Sequence, residues 1–204
     1  MKGSGVRDEE LLTAVASGDA VAVREAVTEG AWLEARDARG RTPLLLAAAA
    51  DHADVAQLLV SAGADPDAPD HQGDTPWLVT GATGSVAMLR ALLPAGPDLD
   101  HANRDGATVV ILAAERGHAD YVRAVLEAGA AVDHIDDRGL TALLETVIVG
   151  DGSERFQEVV RLLLAAGADP RRTDRDGVTA FEHAVAKGHL EVAALLRDAI
   201  RPRP

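Results

Sequence analysis

The sequence predicts an all-α solenoid of about six stacked helix-turn-helix units joined by hairpin turns. Three observations carry this. Two glycine series share one period, the stretches between them are Ala/Leu-rich, and aromatic residues make up only 2% of the chain. The first series is Gly40, Gly73, Gly106, Gly139 and Gly177, with three steps of 33 residues and one of 38. The second is Gly63, Gly96, Gly129 and Gly167, with steps of 33, 33 and 38. Two independent series with one period and one shared insertion are the mark of a repeat architecture. A core with so few aromatics must come from Ala, Leu and Val, which suit closely packed helices.

Aligned on the first series, the units begin alike: Asp37-Ala-Arg-Gly-Arg-Thr-Pro43, Asp70-His-Gln-Gly-Asp-Thr-Pro76, Asn103-Arg-Asp-Gly-Ala-Thr-Val109, Asp136-Asp-Arg-Gly-Leu-Thr-Ala142 and Asp174-Arg-Asp-Gly-Val-Thr-Ala180. The Asx residue and the glycine fit a tight turn in which glycine supplies a positive φ. The threonine is placed to N-cap the first helix, and proline fits the next position because its missing N–H is not needed there. A second helix, such as 55–62, then ends at Gly63-Ala64-Asp65, where glycine suits a left-handed C-terminal residue.

These motifs resemble the ankyrin repeat, over residues ~8–200. The family pattern runs Asp-x-x-Gly-x-Thr-Pro-Leu-His, Ala-Ala, Gly-His, a second helix and Gly-Ala-Asp. Gly-His stands here as Gly117-His118 and Gly188-His189, with His52 in the same column. The histidine after Thr-Pro-Leu is replaced throughout by Leu45, Leu78, Ile111, Leu144 and Glu182, and the proline by Val109, Ala142 and Ala180 in later units. The whole is similar to bacterial ankyrin-repeat proteins with a longer fifth unit. The resemblance implies a protein-binding module whose turn tips and concave face carry recognition.

The expected organisation is a flexible leader at 1–7 and an N-terminal capping repeat at 8–36, with helices at 9–16 and 20–28. Full repeats follow at 37–69, 70–102, 103–135 and 136–172, then a C-terminal capping repeat at 173–200 and a tail at 201–204. Terminal repeats are expected to be polar outward because no neighbour covers them. Gly81, Gly84, Pro94 and Pro97 make the third unit the least regular, and Val149–Arg155 reads as an inserted loop.

A net charge of −13 disfavours nucleic acid and anionic lipid. With no cysteine there are no disulfides, thiolate metal sites or cysteine nucleophiles, and a cytoplasmic location is expected. The start lacks the apolar run of a signal peptide, and no stretch approaches the ~20 apolar residues of a membrane span. No phosphate loop, His-Glu-x-x-His or nucleophile elbow occurs. No cofactor and no metal are expected. His52, His118 and His189 read as structural, bonding backbone between repeats. His101 and His134 fall one unit apart, roughly 10 Å, too far to share an ion. A monomer binding another protein is the leading expectation.

The candidate binding residues are those that vary on the repeated frame of units four to six. At the turn tips these are Arg104, Asp105, Arg138, Arg175, Leu140 and Val178. Along the groove they are Glu115, Arg116, Leu144, Glu145, Glu182 and His183. Leu140, Val178 and Leu144 suggest an apolar hot spot ringed by Arg138, Arg175 and Glu182; scattered exposed apolar residues are the plainer reading. One column runs Leu46, Val79, Leu112, Glu145, His183. Its last two members, with Glu182, suggest either an acid/base or ligand site or simply a polar pair on the groove wall. Asp151 and Glu154 are placed to approach the same end. An enzyme or small-ligand binder using Glu145, His183 and Glu182 is thus the alternative to a non-catalytic adaptor. An acidic inhibitor that mimics nucleic acid is a third reading.

Overall fold

The computed structural model describes residues 5–201. The leader residues 1–4 and the tail residues 202–204 lie outside the described residues. Among the described residues the chain forms twelve α-helices and one 3-10 turn, with no β-strand beyond a single bridge between Thr173 and Thr179. It divides into two compact units, Met1–His101 and Ala102–Pro204.

In the first unit, α1 (Gly5–Ser17) pairs with α2 (Ala20–Thr28), α3 (Pro43–Ala49) with α4 (Ala53–Ser61), and α5 (Pro76–Thr83) with α6 (Val86–Leu92). First helices stack on first helices and second on second: α1 on α3 on α5, and α2 on α4 on α6. The second unit repeats this with α7 (Val109–Ala114) and α8 (Ala119–Glu127), α9 (Ala142–Val149) and α10 (Glu154–Ala165), and α11 (Ala180–Ala186) and α12 (Leu190–Ile200). Leu44, Val55, Leu59, Trp77 and Met88 are fully buried in the first unit, as are Tyr121, Val125, Val159, Leu163 and Leu196 in the second. Each buried Leu or Val contributes about 1.5–3 kcal/mol relative to exposure, and short helices of this length hold only through such packing.

The turn chemistry repeats from residue to residue. Asp37 Oδ1 accepts the amides of Arg39 and Arg41, and Asp70, Asn103, Asp136 and Asp174 make the same pair of bonds in their own hairpins. Gly40, Gly73, Gly106, Gly139 and Gly177 all have φ between 76° and 86°. Thr42, Thr75, Thr141 and Thr179 each accept the amide three residues on. Thr108 does not, and its Oγ1 is buried without a partner. Carboxylates tie repeats together within each unit: Glu34 accepts the Asp65 amide and Asp67 the Asp98 amide in the first, and Asp133 the Asp169 amide in the second.

Two expected boundaries move. Helix α1 begins at Gly5, so residues 5–7 belong to the first repeat and not to a leader. The loop expected at Val149–Arg155 shortens to Gly150–Ser153, and α10 has 12 residues against nine in α4 and α8. Its extra turn carries Phe156 into the core, at 4% exposure. The third repeat is irregular as expected, α6 having seven residues before a 3-10 turn at Leu93–Ala95.

Candidate partner-binding surface

The hairpin tips of the second unit have a backbone fixed by hydrogen bonds and carry exposed charged side chains. Within each tip the Asx carboxylate or amide fixes the turn, and between tips the Asp137 amide donates to the Asp105 carbonyl at 2.9 Å. The glycines let neighbouring tips approach. A Cβ at Gly106 would meet the Asp137 amide at 2.8 Å, and one at Gly139 would meet the Arg175 side chain at 2.9 Å. On this frame Arg104, Asp105, Asp137, Arg138, Arg175 and Asp176 are exposed. Arg175 also donates to the Asp137 carbonyl, which orders part of its stem.

Arg138 is the best-positioned of these side chains. It is 53% exposed, yet its Nε and Nη2 hold Asp136 Oδ2 at 2.9 and 2.8 Å while Nη2 holds Glu145 Oε1 at 3.0 Å. Both carboxylates are buried, Glu145 at 1% and Asp136 at 4% exposure. Burial pushes the Glu145 carboxyl above its usual range, with Glu115 and Asp136 adding to the effect and Arg138 opposing it. Glu145 Oε2 has no hydrogen-bond partner.

The groove residues divide. Glu115 pairs with Arg116, whose Nη1 also donates to the Leu112 carbonyl at 3.0 Å; Arg116 is exposed and Glu115 half-buried. His183 Nε2 lies 2.7 Å from Asp174 Oδ2, and the Val178 amide together with that ring holds Asp174 below the usual carboxylate range. Glu182 closes a capping box with Thr179, and the Thr179 amide lowers its pKa. Val178 is half-buried.

Several expectations are corrected here. Leu144 is 1% and Leu140 8% exposed, so neither offers an apolar hot spot to a partner. Leu144 follows the cap threonine and turns inward with its column mates Leu45, Leu78 and Ile111, all at most 2% exposed. Glu145 and His183 do not form a pair, because Arg138 takes the first and Asp174 the second. Asp151 and Glu154 do not join them: Asp151 accepts the Ser153 amide and Glu154 pairs with Arg161. His52 and His189 cap helices without a side-chain cap bond. Their rings cover the preceding glycines, within about 3 Å of where a Cβ would stand on Gly18 and Gly152. His134 Nε2 does bond backbone, the Gly106 carbonyl at 2.9 Å.

Two features lie outside the expected site. Lys187 Nζ donates to the Val147, Ile148 and Gly150 carbonyls, crossing from α11 to cap the end of α9. In the first unit, a groove of about 630 Å³ runs beside the tips, lined by Arg39, Arg41, Leu45, His71, Asp74 and Val79. Among the described residues no group of three or more His, Cys, Asp or Glu side chains is arranged to hold a metal, and no helix is long and apolar enough to cross a membrane.

Comparison with known proteins agrees with this architecture. Family profiles described as ankyrin repeats match residues 39–71, 77–174 and 155–197. The chain is similar to an ankyrin repeat domain from Acinetobacter baumannii, with 41% identity over 93% of this chain and 96% of that one and a TM-score of 0.89. It is similar to the Enterococcus ankyrin repeat protein EF0377, with 35% identity over 93% and 97% and a TM-score of 0.89. It also resembles the ankyrin repeat domain of Bcl-3, a member of the IkappaB family, with 30% identity over 99% and 89% and a TM-score of 0.85. The putative ankyrin repeat protein YahD of Escherichia coli shares 45% identity over 56 residues, 28% of either chain. With its repeated hairpins, capped helices and full-length similarity to these structures, the chain belongs to the ankyrin-repeat family.

Proposed function

We propose that the chain is a non-catalytic adaptor or regulator that binds another protein through the tips and groove of its second unit. Ankyrin repeats are in general protein–protein interaction modules. The observation that carries the reading here is the combination at the tips: fixed backbone, exposed and varied charge. Rigid placement of adaptable side chains lowers the ordering cost of association. The contact residues proposed are Arg104, Asp105, Arg138 and Arg175 at the tips, with Glu115, Arg116, Val178, Glu182 and His183 along the groove. The tips alternate sign, as in Arg104-Asp105, Asp137-Arg138 and Arg175-Asp176, which suits a partner surface of mixed charge and gives specificity and encounter rate more than raw affinity.

The acid/base alternative finds no support in the geometry. Its three side chains are each committed to a structural bond, to Arg138, to Asp174 and to the α11 cap.

The test is affinity capture from lysate with the parent and an Asp105→Arg, Arg175→Glu double variant, both exposed tip positions, checked for unchanged melting. A partner held by the parent and lost by the variant supports the reading. Equal capture by both moves the interface off these tips.

A further inference from the structure

Arg39 and Arg138 hold the same place in hairpins three repeats apart, and Leu46 and Glu145 the same place on the helices that follow. In the second unit the arginine folds back on the glutamate, Nη2 to Oε1 at 3.0 Å. In the first unit the counterpart of that carboxylate is a leucine. Arg39 is exposed, and among the described residues its guanidinium has neither a hydrogen bond nor an ion pair. It lines the groove of about 630 Å³ together with Ala49 and Val79. A second hollow of about 490 Å³ lies toward α1, lined by Leu12, Ala16 and Leu46, and Arg41 lines both.

The backbone at this spot is fixed. The His71 ring covers Gly40, and the His71 amide donates to the Arg39 carbonyl at 3.1 Å. Arg36 Nη1 donates to the Gly40 carbonyl at 2.7 Å and to the Pro69 carbonyl. Two nearby acids are taken up inside their hairpins: Asp37 Oδ2 holds Arg41 Nε at 2.8 Å, and Asp70 Oδ1 accepts the Gln72 and Asp74 amides. Asp74 is half-buried on the far rim, which leaves the Arg39 side for an anion.

Charge and length select the occupant. Residues 5–101 hold six Arg or Lys against sixteen Asp or Glu, yet three of the six fall within 36–41 beside a single acid, Asp37. A basic spot on an otherwise acidic unit draws negative charge to itself. Helices α1, α3 and α5, packed at intervals of roughly 10 Å, give a groove about 20 Å long, the span of about six extended residues. A small anion would use the arginines and leave Leu12, Leu46 and Val79 in water. A peptide segment uses both.

We propose that this groove binds an acidic segment of a partner protein. One carboxylate of the segment stands beside Arg39 as Glu145 stands beside Arg138, in a charge-assisted pair, and a neighbouring aliphatic side chain lies against Ala49 and Val79. All these residues are in the first unit, so the proposal does not depend on contacts at the second-unit tips.

Selection of a display library of random peptides, each about ten residues long and so longer than the groove, on the full chain tests this. The expected result is enrichment of peptides with Asp or Glu next to Leu, Ile, Val or Met. Their binding, read by fluorescence anisotropy, should weaken with added salt and fall about tenfold or more in Arg39→Glu and in Ala49→Gln. It should be unmoved in Arg90→Glu, on α6, and in the Asp105→Arg, Arg175→Glu variant. Arg39, Ala49 and Arg90 are exposed, so melting should match the parent. A selection that yields no binders, or binders without acids, overturns the proposal. So does affinity that survives Arg39→Glu. So does equal binding by a peptide whose aliphatic residues are replaced by serine, or ready displacement by inorganic phosphate, either of which marks a bare anion spot.

Discussion

Arg138 reaches over Glu145 from the preceding hairpin, with Nη2 3.0 Å from Oε1, and the same guanidinium nitrogen holds Asp136 at 2.8 Å. The glutamate stands in a column otherwise occupied by Leu46, Val79 and Leu112 in the earlier repeats. It is as buried as a core leucine, with one carboxyl oxygen unbonded. Taking a charge out of water is costly, and one ion pair offsets only part of it. Glu145→Leu is therefore expected to raise stability at neutral pH by about 1 kcal/mol or more, with Arg138 still held by Asp136. Glu145→Gln adds the pH test. A carboxyl whose folded pKa is raised above 4.5 binds its proton more tightly in the folded state. Its contribution is favourable at low pH and is lost as pH rises through the folded value. The stability gap between Glu145→Gln and the parent should widen in the variant's favour as pH rises above the ordinary carboxylate range, measured by urea unfolding at each pH. Asp67, also raised by burial, is present in both proteins and cancels. A constant gap would mean that burial does not perturb Glu145.

Thr141 and Thr108 occupy the same place in successive repeats with different bonding. Thr141 accepts the Leu144 amide at 3.3 Å, while Thr108 makes no cap bond and buries an unpaired hydroxyl. Thr141→Val should cost about 1 kcal/mol, as loss of an N-cap does. Thr108→Val should be neutral or stabilising, because it removes an unsatisfied polar atom without changing shape. Equal losses in thermal or urea unfolding would show that the threonine serves α7 in some way other than its hydroxyl geometry.

The repeats were legible because glycine spacing, Asx turns and Thr caps are local and recur, so each unit confirms the next. The site was harder to read. Leu140 and Leu144 look like exposed tip and groove residues from column position, but Leu144 turns inward after the cap and Leu140 is covered in place. Glu145 looks like a groove acid because the sequence does not show that Arg138 folds back over it. The capping role of Lys187 left no signal, since its three acceptors are backbone carbonyls. The insertion read as a loop from its Gly-Asp-Gly-Ser content, yet Glu154 and Arg155 start the helix early and Phe156 anchors it in the core.

Leu59 and Leu163 are each fully buried at the same position of their second helices, one in each unit. Leu→Ala at either site should cost about 2–5 kcal/mol. In a repeat array stability is roughly a sum of unit and neighbour terms, so the two losses need not share one transition. Hydrogen exchange should show Leu59→Ala loosening α4 and its neighbours before α10. A variant that melts like its parent would place the side chain outside the core.

Lys187 closes the far end of α9. Three carbonyls of α9 and its loop converge on one ammonium, from Val147, Ile148 and Gly150, where the helix leaves acceptors unpaired and carries partial negative charge. Gly150, with extended φ and ψ, does not form the left-handed glycine cap that ends α5 at Gly84. The lysine takes that role from the next repeat. Lys187→Met keeps the stem and removes the charge, and it should cost about 1–2 kcal/mol. Because the bonds all fall on one helix end, amide exchange should rise mainly over 147–153 and little elsewhere in the unit. Lys187→Arg, which retains a charged donor at that position, should recover part of the loss. Uniform destabilisation across α9 to α12, with no local rise, would mean that the lysine acts through packing and not through the carbonyls it caps.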